Sequence, residues 1–521
     1  MKIVIYTMMI ALFLGACTGQ FEEANKNPYQ VSGESLNQDF NNVGAYFSSM
    51  LSSFYGDQVE ENLVYESFTR HMATPTPFVG GVNNTTYYIR WNSNWGLCYG
   101  SVMSPSHQVI KIAKAGKYDV FESWAKLVRV LSVSRLTAIH GPVIYSNYGS
   151  TSNDILYDKE SVLYTSLFSQ LDSINTVFKA NATYAGLKNF DKSYGGDVTK
   201  WSKLVNSMRL RLAIRISKVA PALAKTQGEK AIADGVILNN SDNFLINLNG
   251  NILPLARICN QWDDTRMDAA MESFLVGLKD GRISKFFAPV SNTALVSDHP
   301  DMPYKGIRNG ATLTDKSLRV SFSKVNEGFN TVTTRRFLTA AEMYFDLAEA
   351  SLRGWAGAGV AQTNYENGVK SSFADWGAAG VDGYLADNTS KPLNYKDPVS
   401  SPVNDFISRS TVTIQWNEGD SNELKLEKII TQKWIDCFTN TLESWCDQRR
   451  TGYPKLPYNY ENDSNADWGV IAPNDFIKRM PFVDAERTGN KAAVADATTK
   501  LGGPDLISTR LWFDTGVVSN F

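Results

Sequence analysis

Histidine and the common catalytic motifs are scarce in this sequence. It has four histidines in 521 residues, His71, His107, His140 and His299, and none forms an HExxH or His-x-His pattern. No GxSxG motif, phosphate-binding glycine loop or dinucleotide fingerprint stands out. An oxygen-rich stretch over residues 417–423 lacks the alternating spacing of a calcium loop. The sequence therefore gives no catalytic residue, no metal ligand and no cofactor.

Cysteine and net charge are also low. Beyond Cys17, the cysteines are Cys98, Cys259, Cys437 and Cys446, whose spacings match neither a zinc ribbon nor a CxxC motif. One or two disulfides and free buried thiols both remain open. The 51 basic and 53 acidic residues give a formal net charge of −2 without a basic stripe, which argues against nucleic acid as a partner.

Long apolar runs are missing beyond residue 16, and the run before it is too short to span a membrane. Residues 3–14 are mostly apolar and follow Lys2, as in a signal peptide. The run ends in Leu14-Gly15-Ala16-Cys17, which resembles a bacterial lipobox. We therefore expect a signal peptide over residues 1–16 and lipidation of Cys17, since two or more acyl chains make release from a membrane very slow. A plain secretory signal with a chance cysteine is the alternative.

The segment after Cys17 is polar and has no apolar periodicity, so residues 17–38 are predicted to be a lipidated flexible leader. Within it, Phe21-Glu22-Glu23 resembles the signal that sends lipoproteins of Bacteroidetes-type bacteria to the outer face of the outer membrane. We therefore expect a lipid anchor in the outer membrane, facing the cell exterior. Residues 39–521 are predicted to form the ligand-binding domain.

Apolar residues at three- to four-residue spacing predict a mostly helical domain. The predicted helices cover residues 42–55, 95–115 with a break at 104–106, 121–139, 161–178, 201–219, 221–235, 339–354, 364–376 and 427–450, the last being the final long helix. Small hairpins are expected only over residues 318–325 and 411–416.

Several of these helices form antiparallel pairs. In residues 340–376, Ala348 and Gly354 are small where two helices would meet, and Tyr365, Val369 and Phe373 recur every four residues on the second helix. A unit of about 34 residues with small-against-large packing is typical of a tetratricopeptide-type repeat. A generic helical hairpin is the alternative.

Four longer motifs resemble those of one known family. They are residues 135–146 (RLTAIHGPVIYS), 201–211 (WSKLVNSMRLR), 341–355 (AEMYFDLAEASLRGW) and 432–454 (QKWIDCFTNTLESWCDQRRTGYP), followed by 479–480 and 510–514. Ile144 departs from the pattern, which usually has proline there. With the lipobox, their order and coverage resemble the SusD/RagB-like family of nutrient-binding lipoproteins.

The resemblance implies a fold of tetratricopeptide-like helical pairs with a large irregular, loop-rich subdomain and few short strands. It implies a non-enzymatic lipoprotein that covers a SusC-like TonB-dependent outer-membrane transporter and delivers glycan to it. Some relatives take up peptides, so a peptide or another nutrient is an alternative ligand. From other classes, a membrane-anchored glycoside hydrolase and a protein-binding tetratricopeptide adaptor also remain open.

Aromatic residues make up 12% of the chain, and an excess of Trp and Tyr suits sugar recognition, because the C–H-rich face of a sugar packs on an aromatic ring. Aromatics mixed with Arg and Asn follow a loop over residues 75–86, near the N-terminal region where family members place sugar-stacking residues. The candidate ligand-binding residues are Tyr87, Tyr88, Arg90, Trp91, Asn92, Asn94 and Trp95, with Trp262 as the next choice. Placement of these rings in the core is the alternative. For Arg449 and Arg450, a buried ion pair is favoured over anion binding.

Overall fold

The computed structural model describes residues 38–92, 94–151 and 155–521. The predicted signal peptide over residues 1–16, the lipidation site at Cys17 and all of the leader except Gln38 lie outside the described residues. The predicted ligand-binding domain is described almost completely. In this part of the chain no helix is both long enough and apolar enough to cross a membrane.

Helices dominate the described chain, as the apolar spacing predicts. Those of eight or more residues are α1 (Ser104–Gly116), α2 (Asp119–His140), α3 (Glu160–Ala180), α4 (Val198–Arg215), α5 (Pro221–Asp234), α6 (Ala269–Gly277), α7 (Ala340–Leu352), α8 (Ala361–Trp376), α9 (Asn422–Asp436), α10 (Thr441–Thr451) and α11 (Lys491–Leu501). Shorter α-helical segments cover Asn41–Gly44, Phe47–Ser52, Glu66–Phe68, Asn94–Cys98, Pro254–Ala256, Ile283–Phe286, Val381–Ala386 and Asp484–Gly489.

Neighbouring helices pack in pairs, which confirms the predicted architecture. Helix α2 packs on α3, α4 on α5 and α7 on α8, while α4 and α9 both contact α7. Tyr365, Val369 and Phe373 of α8 are buried as expected. Gly354 serves a different purpose from the one predicted: its φ of 67° places it in a turn, with no atom near its missing side chain. The close helix contact is made instead by Gly368, where a Cβ atom would lie 2.6 Å from the ring of Phe345.

The predicted hairpins are wrong. The strands are β1 (Met72–Ala73), β2 (Phe244–Asn247), β3 (Arg266–Met267) and β4 (Thr334–Leu338), with β1 antiparallel to β3 and β2 antiparallel to β4. Residues 411–416 form no strand, although Val412, Ile414 and Trp416 are buried. Apolar residues alternate with polar ones here because the segment is an extended loop that covers the core. Every second side chain of an extended segment points the same way, whether or not the segment pairs as a strand. Residues 318–325 contribute only an isolated bridge between Val325 and Phe287.

The predicted helix over residues 427–450 is two helices, α9 and α10, and α11 follows as a later long helix. Thr439 has a φ of 78° at the corner between them, which ends the helical path. Strand β4 holds this corner: Arg335 Nε donates to the Thr439 carbonyl at 3.1 Å, and Asn440 Nδ2 donates to the Phe337 carbonyl at 2.8 Å. Tertiary hydrogen bonds thus override a continuous apolar pattern.

Long loops between α6 and α7, between α8 and α9, and after α10 form the expected irregular part of the fold. A second hydrophobic core holds them, joining Phe274 of α6 and Val369 of α8 to Val412 and Phe287 of the loops. The open question about disulfides is also answered, because Cys98, Cys259, Cys437 and Cys446 are all buried and free.

The family-like motifs meet in a buried set of charges, which we call the ion network. Its members are Arg211 and Arg215 of α4, Glu342, Asp346 and Glu349 of α7, Lys433 of α9, and Glu443, Asp447 and Arg450 of α10. Each pairs across helices. Arg211 binds both carboxylate oxygens of Glu342 at 2.7 and 2.6 Å, and Arg450 binds Glu349 at 2.6 and 2.8 Å. The preferred interpretation as a buried ion pair is confirmed for Arg450 but is wrong for Arg449, which donates to the backbone carbonyls of Trp445, Lys478 and Ala138 instead.

Replacing Arg450 with Met removes one cation from the ion network and leaves Glu349 and Asp447 buried with fewer partners. Breaking a buried pair in this way costs about 3–5 kcal/mol. We expect a loss of that size in the free energy of unfolding, measured by urea denaturation. The control is Lys230→Met, which removes an ion pair to Asp172 whose side chains are both nearly half exposed. That change costs at most about 1 kcal/mol, and equal losses in the two variants would contradict the structural role of Arg450.

The ion network also predicts sensitivity to acid. Burial alone would raise the pKa of Glu349, but the guanidinium groups of Arg450 and Arg353 outweigh it and hold that pKa at about 2. A free glutamate has a pKa of about 4.3. The stabilisation by Glu349 is therefore complete above pH ~4.3 and is lost as the pH falls towards 2. In Glu349→Gln, the slope of unfolding free energy against pH in this window should fall by up to about 1.4 kcal/mol per pH unit. If the unfolding free energies of the wild-type protein and Glu349→Gln changed with pH in parallel over this window, the assignment would be refuted.

Candidate ligand-binding site

Two asparagines build the loop that carries the predicted ligand residues. The Asn83 side chain accepts hydrogen bonds from the Thr85 backbone at 3.0 Å and the Thr85 hydroxyl at 2.9 Å. Asn84 Oδ1 accepts from the backbone N–H groups of Arg90 and Trp91 at 2.8 and 3.2 Å, and its Nδ2 donates to the Trp91 carbonyl at 2.9 Å. The Asn84 side chain thus replaces the regular backbone pairing that this segment lacks.

Three predicted ligand residues, Tyr87, Asn94 and Trp95, are buried in the structure, and the first two make polar contacts there. The hydroxyl of Tyr87 accepts a hydrogen bond from Arg70 Nη2 at 3.0 Å, and burial raises the pKa of Tyr87. Asn94 Oδ1 accepts a hydrogen bond from the hydroxyl of Tyr65. Both side chains therefore fix the segment from inside the protein.

The residues between them reach the surface. Tyr88, Trp91 and Asn92 are partly exposed and Arg90 is exposed. The Arg90 guanidinium lies 4.9 Å from the centre of the Tyr88 ring, and its Nε donates to the Val82 carbonyl at 2.6 Å. Asn92 Nδ2 donates to the carbonyl of Pro481 at 2.8 Å, which fastens the segment to the chain after α10. These residues present rings and hydrogen-bonding groups side by side.

Trp95 connects this surface to a cavity of about 520 Å³, which we call the ligand cavity. Its ring is 8% exposed and packs on Tyr99, Tyr157 and Phe482, with ring centres 5.0, 5.7 and 6.3 Å away. The cavity is lined by Trp95, Tyr99, Ser104, His107, Gln108, Ile144, Tyr148, Gly149, Ser150, Ile155 and Glu486. Its volume lies in the range of small-molecule sites, roughly 300–1,000 Å³.

The aromatic wall of the ligand cavity is built by the helix before α1 and the turn after α2. The backbone takes wider π-helical turns over Tyr99–Met103, directly before the predicted break at Pro105. The rings of Tyr99 and Tyr148 stack with centres 6.0 Å apart and planes 18° apart, and the Arg129 guanidinium lies 5.4 Å from the Tyr148 ring centre. Two half-buried tyrosines therefore face the cavity in a nearly parallel arrangement.

Ile144, the residue that departs from the family pattern, helps to fix this wall. Its N–H donates to the hydroxyl of Tyr99 at 2.7 Å, and the hydroxyl donates to the Ile144 carbonyl at 3.0 Å. Proline has no N–H and could not make the first of these bonds. The departure thus contributes directly to the orientation of Tyr99.

Polar side chains also line the cavity, together with Ile144 and Ile155. His107 packs on Gly149, where a Cβ atom would lie 2.6 Å from the imidazole. Glu486 Oε2 accepts a hydrogen bond from the Tyr157 hydroxyl at 2.5 Å, and Gln108 is exposed at the rim. Sequence reasoning found Trp95 but missed Tyr99, His107, Tyr148 and Glu486. The turn at residues 141–150, which carries Tyr148, was the available signal.

Trp262 lies apart from this surface. It is 44% exposed, and its carbonyl accepts a hydrogen bond from Lys316 Nζ at 3.2 Å. Within the described part of the chain, Trp262 makes no hydrogen bond or ring contact with the segment over residues 87–95. It remains a separate candidate contact.

The oxygen-rich stretch at residues 417–423 is occupied by protein contacts. Glu418 Oε2 pairs with Lys425 at 2.7 Å, and Asp420 pairs with Lys428 at 2.8 Å. Across residues 38–92, 94–151 and 155–521, no group of three or more His, Cys, Asp or Glu side chains is arranged to hold a metal ion.

Fold and site together define a helical-repeat protein with an aromatic-walled surface cavity of ligand size. Among solved structures, a chitin-binding SusD homologue from Flavobacterium johnsoniae is 38% identical, with a TM-score of 0.85 over 91% of this chain and 99% of that one. A SusD homologue from Bacteroides vulgatus is 31% identical, with a TM-score of 0.85 over 92% and 99% of the two chains. A SusD-like protein from Bacteroides thetaiotaomicron is 31% identical, with a TM-score of 0.83 over 91% and 98%.

The family model described as "Susd and RagB outer membrane lipoprotein" matches residues 23–514. The chain therefore belongs to the SusD-like family of outer-membrane lipoproteins, which confirms the resemblance seen in its motifs. Among curated proteins, none matches this chain.

The role of Asn84 can be tested without a ligand. In Asn84→Ala, the backbone N–H groups of Arg90 and Trp91 lose their acceptor, so their hydrogen exchange should accelerate roughly tenfold, the equivalent of about 1.4 kcal/mol. Asn92→Ala is the matched control, because it removes only the bond to Pro481. Unchanged protection of both amides in Asn84→Ala would show that other contacts hold this loop.

Proposed function

We propose that this protein binds glycan, without altering it, on the surface that runs from Tyr88 and Trp91 to Tyr148 in the ligand cavity. The single observation that carries the proposal is the parallel pair of Tyr99 and Tyr148 beside Trp95, in a cavity that is also lined by the polar residues Ser104, His107, Gln108 and Glu486. Sugars have apolar C–H faces and hydroxyl edges, so they suit a site with rings and hydrogen-bonding groups side by side.

The polar groups match hydroxyl recognition better than recognition of a charged ligand. Among the described residues that line the cavity, Glu486 is the one carboxylate, and none of them is a lysine or arginine. His107, Gln108 and Ser104 offer neutral donors and acceptors. A neutral glycan therefore fits this site, and the chitin-binding homologue makes chitin the first glycan to test.

Affinity for one sugar chain should be weak, because each neutral hydrogen bond contributes only ~1 kcal/mol net. Many anchored copies acting on one long polysaccharide would raise the overall affinity through avidity. We further propose that the lipid on Cys17 holds the protein on the outer face of the outer membrane, where it delivers glycan to a SusC-like TonB-dependent transporter. Family membership and the Phe21-Glu22-Glu23 sequence in the leader support this placement.

Loss of a single aromatic ring should weaken retention of the protein on a polysaccharide matrix. We expect Tyr148→Ala and Trp91→Ala each to weaken binding to chitin beads by about tenfold, since an aromatic contact contributes roughly 1.4 kcal/mol. Tyr46→Ala is the matched control, because Tyr46 is 39% exposed and lies outside the candidate surface. Trp262→Ala tests the separate candidate in the same assay.

If chitin does not retain the wild-type protein, the same variants are compared on the polysaccharide that retains it best. Unchanged retention of both ring variants would refute the assigned surface. Release of reducing sugar by the wild-type protein would instead support the hydrolase alternative, and capture of peptides in preference to every glycan would support the peptide alternative.

A further inference from the structure

A second cavity, of about 380 Å³, lies at the C-terminal end of α10 and shares no lining residue with the ligand cavity. We call it the basic cavity. Six of its lining residues are cations, Arg409, Arg449, Arg450, Lys455, Lys478 and Arg510, and two are carboxylates, Asp475 and Asp514.

Four of the six cations have carboxylate partners. Arg450 pairs with Glu349 and Asp447, Lys455 with Glu427 at 2.7 Å, and Arg510 with Asp514 at 2.7 Å. Lys478 contacts Asp475. These pairs leave the positive charges of Arg409 and Arg449 to be explained.

In the described part of the chain, Arg449 and Arg409 donate hydrogen bonds only to neutral groups. Arg449 is buried and donates to the backbone carbonyls of Trp445, Lys478 and Ala138. Arg409 is exposed and donates from Nη1 to the Leu456 carbonyl at 2.7 Å. Its Nε and Nη2 make no hydrogen bond to another described residue. Neither guanidinium forms a direct ion pair among the described residues, although Glu427 attracts Arg409 and Asp514 attracts Arg449 through space.

The orientation of Arg409 suits an anionic ligand. Its guanidinium lies 3.9 Å from the centre of the Tyr458 ring, and Tyr458 packs on Phe476 with ring centres 5.0 Å apart. Stacking on the Tyr458 ring restricts the guanidinium group of Arg409. Less side-chain entropy is therefore lost when a carboxylate binds this group through two hydrogen bonds. Gln448 and Asn474 supply side-chain amides to the same cavity.

We propose that the basic cavity binds an acidic sugar through its carboxylate, as in a hexuronate residue. The carboxylate accepts hydrogen bonds from the free edge of Arg409, and the side-chain amides of Gln448 and Asn474 bind the sugar hydroxyls. The volume of the cavity is large enough for more than a bare ion, because it lies within the range of small-molecule sites. The site is separate from the proposed neutral glycan surface, so either can fail without the other.

The test uses saturation-transfer NMR on the purified protein with D-glucuronate as the probe and methyl glucoside as its neutral counterpart. We expect saturable binding of glucuronate and none of the glucoside. Arg409→Met should weaken glucuronate binding at least tenfold, since a hydrogen bond to a charged group is typically stronger than a neutral one. Arg487→Met is the matched control, because Arg487 is partly exposed, also lies over an aromatic ring, 4.6 Å from the centre of Trp468, and lines neither cavity.

Equal binding of glucuronate and glucoside, or unchanged binding in Arg409→Met, would overturn the proposal. Competition by inorganic sulfate at the same concentration as glucuronate would also overturn it, because it would show a simple anion site that does not recognise the sugar. Retention of Arg409→Met on chitin beads is expected to be unchanged, which separates this result from the test of the ligand cavity.

Discussion

Buried charge constrains how the helices of this protein pack. Arg211, Arg215, Lys433 and Arg450 lie in the interior, where an unpaired charge is strongly unfavourable. Each finds its carboxylate on another helix, so α4, α7, α9 and α10 must meet in one arrangement for all of them to be paired. Hydrophobic packing alone tolerates small shifts between helices. A bidentate ion pair such as that of Arg211 with Glu342 tolerates much smaller shifts, because both of its hydrogen bonds must be kept.

This constraint extends to both cavities. Arg449, next to Arg450 on α10, donates to the Ala138 carbonyl near the end of α2, and Arg479 donates to the His140 carbonyl in the last turn of that helix. The turn that begins there carries Tyr148 into the ligand cavity. Arg449 also forms part of the wall of the basic cavity. The same buried contacts therefore help to position residues of both cavities.

The sequence was informative wherever local signals and packing agree. Apolar spacing and Pro221 at a helix start located most helices, and the motifs identified the family. It failed at residues 427–450, because the corner at Thr439 depends on bonds to a distant strand, and at residues 411–416, because a buried loop alternates like a strand.

In the candidate site, Trp91 and Trp95 have equal apolar character, and only the fold separates the partly exposed ring from the buried one. Tyr148 and Glu486 line the same cavity although they are far apart in the sequence. The sequence alone does not show that they lie in one site.

The most direct test of the proposed function is a crystal structure of the protein bound to a chitin oligosaccharide. We predict an intact oligosaccharide in the ligand cavity, with a sugar ring packed on Tyr148 and its hydroxyls near His107 and Gln108. An oligosaccharide bound only at Trp262, or cleaved fragments in the cavity, would contradict the assignment of this surface as a binding site that leaves its ligand unchanged.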